Sequence, residues 1–217
     1  MKNVFETLAT QRILPLITKI DIPTAEIIVE AAHLAGIKTL EYAARSADAP
    51  EVLEAILKQV KAKGYDLLIG VGSVLNAAHA KLYHELGADY IVSPHIEEEV
   101  GKYCKEHDVF WIPGASTLNE AVYATKLGAG IVKLFPADYL GGPGFIKAIS
   151  SPFPTLKLMP SGGVTTEAEN LKSWFDAGVV CVGIGSNLFS AELLKTATVA
   201  SVKARFDDLL NILEQLK

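Results

Sequence analysis

One pattern of apolar and polar positions recurs along the chain. A segment with helical spacing ends at a glycine, and an apolar run follows within a few residues, as in "HELGADYIVSP" and "TKLGAGIVKLFPA". A glycine just after a helix can adopt the left-handed conformation, which other residues adopt only at a cost. The pattern therefore predicts helix ends beside Gly36, Gly64, Gly87, Gly128 and Gly178.

The apolar runs between these helices are predicted strands. They cover residues 12–18, 39–44, 67–73, 90–94, 109–115, 131–136, 155–160 and 179–184. Strands that alternate with helices form parallel sheets with right-handed crossovers. Eight such units predict an α/β fold, a single (β/α)8 TIM barrel domain over residues 1–217, with an extra N-terminal helix at residues 1–11 that caps the barrel. A doubly wound open sheet is the alternative, although it usually needs fewer units.

Composition and charge restrict the partners. Half of the residues are hydrophobic, which is enough for a sizeable core, and the net charge of −5 argues against nucleic acid or an anionic membrane surface as a partner. No apolar stretch reaches the roughly 18 residues that cross a bilayer. The polar residues within "MKNVFETLATQRI" do not fit a secretory signal. We therefore expect a cytoplasmic protein that binds a small molecule.

Small and hydroxylated residues follow the predicted strands, as in "GVGS", "SPH", "PGAST", "PSGG" and "GIGS". In a barrel of this kind the active site lies at the carboxyl ends of the strands, and the loops after strands seven and eight often bind phosphate. "PSGG" at 160–163 and "GIGSN" at 183–187 suit an anion, because glycines let backbone N–H groups approach it. The alternative is that Gly162 and Gly163 only form a tight turn.

Two charged residues interrupt the apolar strands: Glu41 in "TLEYAA" and Lys133 in "IVKLFPA". They lie on strands two and six, which contribute side chains to the same layers of a barrel interior, so the two residues could meet. A buried ion pair alone stabilises a fold weakly, since desolvation offsets most of the attraction. Beneath an anion site, a nucleophile with its acid/base is the better explanation, because burial favours the uncharged amine that a Schiff base requires.

Other candidate groups fit a reaction less well. Lys157 is the rival lysine within a strand, but it lies four residues before Ser161 and is expected to be structural. Lys19, just past strand one, is expected to be solvated. Of the histidines, only His95 lies at a strand end, and no ligand-like spacing accompanies it, so we predict neither a metal nor another cofactor. A serine-hydrolase G-x-S-x-G elbow is also missing from the sequence.

Six motifs resemble those of a known enzyme family. "GVGSVLNAA", "YIVSP", "WIPGAST", "IVKLFPA", "PSGGV" and "GIGS", in this order and spacing, look like the bacterial 2-keto-3-deoxy-6-phosphogluconate (KDPG) / 4-hydroxy-2-oxoglutarate (KHG) aldolase family. The resemblance covers essentially the whole chain. It implies a metal-independent class I aldolase, usually a homotrimer, that reversibly cleaves a 2-keto-4-hydroxy acid to pyruvate and glyceraldehyde 3-phosphate or glyoxylate. It also implies a role in carbohydrate metabolism of the Entner–Doudoroff type.

The resemblance further implies roles for the residues that bind and convert pyruvate. Lys133 would form the Schiff base, and Glu41 would be the proton shuttle. Arg45 and Ser73 would bind the pyruvoyl carboxylate, and Phe135 would form one wall of the pocket.

The remaining motif residues would surround the rest of the substrate. Pro94 would form a second wall of the pocket, and Ser161 would lie beside the reacting carbons. Gly162, Gly163 and Ser186 would hold the distal phosphate or carboxylate.

The motif around the glutamate departs from the family pattern E-(V/I/F)-T-x-R, since this chain has "EYAAR" at 41–45. Glu41 and Arg45 are kept, so we expect the same reaction. Ala43 lacks the hydroxyl of the usual threonine, so the motif is less informative about the substrate. Two alternative functions stay open on this fold. One is a phosphosugar isomerase, epimerase or synthase that forms no imine, and the other is a non-catalytic binding protein for a sugar-acid phosphate, in which Lys133 is only a counter-ion.

Overall fold

The structure, a computed structural model, describes residues 3–216. Helices α1–α10 span Val4–Gln11, Ile22–Ala35, Ala49–Lys63, Ala77–Leu86, Glu98–Glu106, Leu118–Lys126, Gly142–Ser150, Ala168–Asp176, Ala191–Lys195 and Val199–Gln215. Strands β1–β9 span Ile13–Thr18, Thr39–Ala43, Leu68–Gly72, Tyr90–Val92, Phe110–Ile112, Gly114–Ala115, Val132–Leu134, Leu158–Pro160 and Val182–Ile184. Within the described range, no helix is both long and apolar enough to cross a membrane.

The helix boundaries follow local signals in the sequence. At the start of α4, the Asn76 side chain accepts a hydrogen bond from the backbone N–H of His79, which satisfies one of the donors that a helix leaves free. The glycines expected beside helix ends all have positive φ, between 63° and 109°: Gly36, Gly64, Gly87, Gly128 and Gly178. These predicted helix ends are therefore confirmed. The expected N-terminal helix corresponds to α1, and residues 1 and 2 of that prediction lie outside the described residues.

The strands pair in parallel and form two sheets. One is a 6-stranded sheet with the order β5-β4-β3-β2-β1-β9, and the other is a 3-stranded sheet with the order β6-β7-β8. The prediction of a closed eight-stranded (β/α)8 TIM barrel is therefore wrong. The larger sheet forms a half-barrel, and the smaller one supplies the remaining strands. The arrangement is not one doubly wound open sheet either.

Pro113 gives a physical reason for the division. It lies within the predicted strand 109–115 and has no backbone N–H to donate to a ladder. The strand therefore splits into β5, which pairs with β4, and β6, which pairs with β7. Between β8 and β9 the structure has only an isolated bridge, from Ser161 to Gly183. The backbone pairing is thus interrupted on both sides of the smaller sheet.

The inner faces of both sheets share an apolar cluster, which we call the lower core. Its buried members are Val4, Leu8, Leu14, Leu68, Tyr90, Val92, Ile112, Ile131, Met159 and Cys181. Most of them lie near the amino ends of the strands, and α1 covers those ends with Val4 and Leu8. A larger apolar cluster packs the outer faces of the sheets against the helices. The carboxyl ends of the strands are left to the polar residues described next.

Candidate active site

Lys133 and Glu41 meet on the inner face. Lys133 lies in β7, beside Gly114 of β6 and Met159 of β8, and Glu41 lies in β2. Lys133 is 5% exposed and Glu41 is 1% exposed. The Nζ atom of Lys133 is 3.7 Å from Oε1 of Glu41, which is the distance of an ion pair and is too long for a good hydrogen bond. The structure therefore brings together the two residues expected to carry the chemistry.

The second carboxylate oxygen of Glu41 is available for another partner. Oε2 is buried and has no hydrogen-bond partner among residues 3–216. A buried acceptor without a partner costs about 1–3 kcal/mol, and more if it is charged. This cost is understandable if the oxygen binds a water molecule or a substrate hydroxyl during a reaction.

Glycine in β3 makes room for the Glu41 carboxylate. A Cβ atom on Gly72 would lie 1.9 Å from Oε1 of Glu41, and a Cβ atom on Gly70 would lie 1.9 Å from the ring of Tyr90. From the motif "GVGS" we predicted only that small residues follow the strand. The need for Gly72 as space for the Glu41 carboxylate was therefore missed. The sequence does contain a sign of it: Gly70 and Gly72 lie two residues apart in an apolar strand, and glycines within a strand indicate that other groups approach its backbone closely.

Arg45 and Ser73 also lie together. Arg45 follows β2, Ser73 follows β3, and the Nε–H group of Arg45 donates a hydrogen bond to Oγ of Ser73 at 2.9 Å. Ser73 has a φ of 63°, an uncommon conformation for a residue other than glycine. With Nε engaged, the terminal nitrogens of the guanidinium remain as donors suited to a carboxylate.

Phe135 lies close to the lysine, and Pro94 lies beside the neighbouring strand β6. The Nζ atom of Lys133 is 5.5 Å from the centroid of the Phe135 ring. A Cβ atom on Gly114, the register partner of Lys133, would lie 2.1 Å from the carbonyl oxygen of Pro94. Ser116 donates a hydrogen bond from Oγ to the Phe135 carbonyl at 3.0 Å, a contact that the sequence does not reveal. Both predicted wall residues are thus near the Lys133 strand.

The turn after β8 contains Ser161, Gly162 and Gly163. Ser161 is 4% exposed, and the two glycines have φ values of 97° and 70°. Cβ atoms on Gly162 and Gly163 would lie 3.0 Å from Oδ1 and 2.5 Å from Cβ of Asp138. Backbone conformation and lack of space therefore explain both glycines without a ligand, and their binding of an anion stays a prediction.

The loop after β9 is joined to this turn. Ser186 is exposed in that loop. The neighbouring Asn187 donates a hydrogen bond from Nδ2 to the carbonyl of Val164 at 2.7 Å, so the two loops are fixed relative to each other. Asn187 is a further residue that the sequence reasoning missed. The role of Ser186 in holding a distal anion also stays a prediction.

The rival groups do not join the site. Lys157 is exposed immediately before β8, and Lys19 is exposed after β1. His95 is half exposed, with Nε2 3.9 Å from Oε2 of Glu97. Within residues 3–216, no group of three or more His, Cys, Asp or Glu side chains is placed to hold a metal ion. The absence of a cofactor from the reaction stays a prediction.

Comparison with protein families agrees with this geometry. A sequence model of the family described as "Aldolase: KDPG and KHG aldolase" matches residues 4–205. The chain belongs to this family. It is therefore an aldolase, a carbon–carbon lyase, and the resemblance of the six motifs is confirmed. Membership of the KDPG and KHG aldolase family favours this activity over a phosphosugar isomerase or a non-catalytic binding protein.

Individual members show how much of the chain is shared. The 2-dehydro-3-deoxy-phosphogluconate aldolase of Treponema pallidum is 29% identical over 212 residues, which are 98% of each chain. The enzyme of the same name from Pseudomonas aeruginosa is 35% identical over 175 residues, 79% of this chain and 76% of that one. A crystal structure of KDPG aldolase from Legionella pneumophila, with pyruvate captured as a covalent carbinolamine intermediate, has a TM-score of 0.86 at 26% identity and covers 96% of this chain and 98% of its own.

Proposed function

We propose that this member of the family is a class I aldolase that reversibly cleaves a 2-keto-4-hydroxy acid, KDPG or KHG or both. The products are pyruvate and either glyceraldehyde 3-phosphate or glyoxylate. The observation that carries the proposal is the buried contact of 3.7 Å between Nζ of Lys133 and Oε1 of Glu41. A lysine alone could serve as a counter-ion, whereas a lysine beside a carboxylate with a free oxygen supplies both a nucleophile and a proton carrier.

The reaction begins with attack of the Lys133 amine on the C2 carbonyl of the keto acid. The carbinolamine loses water, and the resulting iminium ion draws electrons toward C2. The electron pair of the C3–C4 bond then moves into the enamine while the C4 hydroxyl proton passes to Glu41, so that C4 leaves as an aldehyde. Protonation of the enamine at C3 and hydrolysis release pyruvate and free Lys133. Glu41, acting through a water molecule, can serve each of these proton transfers.

The surrounding residues would orient the keto acid. Arg45 and Ser73, already joined by a hydrogen bond, would bind the C1 carboxylate. Pro94 and Phe135 would form walls of the pocket, and Ser161 would lie beside the reacting carbons.

The two loops after β8 and β9 would receive the far end of the substrate. Gly162, Gly163 and Ser186 would bind its phosphate or carboxylate through backbone N–H groups and a hydroxyl. Support comes from the hydrogen bond of Asn187 to the Val164 carbonyl, because it holds the two loops together.

The wider setting follows from the resemblance to the family. We propose that the chain acts as a single domain without a metal or other cofactor and forms a homotrimer in the cytoplasm. Its reaction would serve sugar-acid breakdown of the Entner–Doudoroff type. Its partners would be small keto acids and not nucleic acid or membranes, in keeping with the net charge of −5.

Trapping of the imine tests the reaction. The protein is incubated with pyruvate and borohydride in the presence of a chelator, and the adduct is mapped by mass spectrometry. We expect one reduced pyruvate on the peptide that contains Lys133, in the parent and in a Lys157→Ala variant. A folded protein that gains no adduct, or gains it on another lysine, would refute the proposed mechanism. Release of pyruvate from KDPG and from KHG, measured side by side, then decides the substrate.

A further inference from the structure

Tyr90 of β4 is a buried polar residue that the proposed reaction does not use. It is 0% exposed, and its ring fills the space beside Gly70 of β3, where an added Cβ would lie 1.9 Å from the ring atom Cε2. Because Gly70 has no side chain, Tyr90 can reach across β3 to β2. Tyr90 therefore contacts the strand of Glu41, although β4 and β2 are not neighbours in the sheet.

The hydroxyl of Tyr90 makes two hydrogen bonds with β2. It donates to the carbonyl of Leu40 at 2.9 Å and lies 2.7 Å from Oγ1 of Thr39. Since the single phenolic proton is directed at Leu40, the Thr39 hydroxyl is the donor of the second bond. Thr39 is 0% exposed as well, so breaking either bond would leave a buried polar group unsatisfied. Both partners directly precede Glu41 in the strand.

Tyr90 and Glu41 fill the spaces beside two glycines of β3, which lie two residues apart. The Tyr90 ring lies at Gly70, the Glu41 carboxylate lies at Gly72, and Gly70 is the register partner of both Glu41 and Tyr90. Burial raises the pKa of Tyr90 well above its ordinary value, and the nearby charge of Glu41 adds to the rise while the Thr39 hydrogen bond opposes it. The phenol therefore stays protonated and serves as a neutral donor, without taking part in proton transfer.

We propose that Tyr90 is a positioning residue for Glu41. By holding Thr39 and Leu40, it sets the place and direction from which the carboxylate faces Lys133. The inference rests on the proposed function, because it needs Glu41 to carry protons. Rates respond strongly to such placement, since a shift of about 1 Å in a reacting group can cost about 100-fold.

Removal of the phenolic hydroxyl tests the inference. We expect Tyr90→Phe to lower kcat about 10-fold and to change KM less than about twofold, since positioning of Glu41 acts on the chemical step and not on substrate binding. Tyr42→Phe is the matched control, because Tyr42 is 1% exposed and adjoins Glu41 in the chain but packs in the outer cluster. We expect it to keep the parent kinetics. A Tyr90→Phe variant with a lower Tm but parent kcat and KM would overturn the inference.

A double-mutant cycle separates this inference from the proposed function. If Tyr90 acts through Glu41, then Tyr90→Phe should change the residual kcat of Glu41→Gln by less than about twofold, because coupled residues are not additive. A full 10-fold loss in the Glu41→Gln background would overturn the positioning role alone. Parent turnover in Glu41→Gln itself would instead refute the proposed proton shuttle.

Discussion

The inner face differs between the amino ends of the strands, where the lower core lies, and the carboxyl ends, where the active site lies. The same strands carry different kinds of side chain at these two ends. In the lower core, Leu68 and Ile131 are 2% and 0% exposed and pack against large apolar neighbours. Two residues further along the chain from each, on the same face, are Gly70 and Lys133, and Gly72 follows in β3. Most of the lower end is filled by apolar side chains, whereas Gly70 and Gly72 leave two side chains out, so that the Tyr90 ring and the Glu41 carboxylate from the two adjacent strands fit. The active site thus depends on the missing side chains at Gly70 and Gly72 as much as on its reactive residues.

Replacement of the lysine at the upper end should have the largest effect. We expect Lys133→Ala to lower turnover at least about 1,000-fold, because removal of the nucleophile removes the imine route. Lys157→Ala is the control, since Lys157 is exposed before β8 and should leave most of the activity. The measurement is pyruvate release by purified variants that have parent circular dichroism spectra. The reverse ranking of the two variants would move the nucleophile to β8.

Filling one gap in β3 should impair the site without unfolding the protein. In Gly72→Ala the new Cβ would meet Oε1 of Glu41, the end of a flexible side chain, so the carboxylate must move and kcat should fall about 10- to 100-fold. The control is Gly144→Ala in α7, where an added Cβ meets nothing within 4 Å and alanine favours the helix. Kinetics and thermal unfolding of both variants would be compared. Parent kcat in Gly72→Ala would show that the empty position has no role in catalysis.

Shortening a side chain in the lower core should have the smallest effect on turnover. Leu8 of α1 is 0% exposed at the amino ends of the strands, and Leu8→Ala should lower the free energy of unfolding by about 2–5 kcal/mol. Per folded molecule, kcat and KM should stay within about twofold of the parent, since the change leaves the upper end intact. Urea denaturation and steady-state kinetics at a temperature below the transition provide the two readings. A large fall in kcat would mean that the two ends are not independent.

Local features of the fold could be predicted from the sequence, and contacts between strands mostly could not. Asn76 starts α4 and glycines follow the helices because caps depend on residues close in the chain. The division of the predicted strand 109–115 at Pro113 was missed. A proline interrupts a strand only where an adjacent strand would need its N–H group, and the sequence does not show which strand lies there. The meeting of Glu41 and Lys133 was predicted, but the requirement for Gly72 depends on a distance to another strand, which a single sequence does not contain.

The division into two sheets has a consequence for how the enzyme acquires activity. The larger sheet carries Glu41 and leads to Arg45, whereas the smaller sheet carries Lys133 and leads to Phe135 and the turn after β8. Neither sheet alone holds both a nucleophile and a proton carrier. A chain in which only the larger sheet has formed would contain most of the strands and yet be inactive. Turnover therefore reports on the docking of the two sheets, because it requires Glu41 of one and Lys133 of the other to meet.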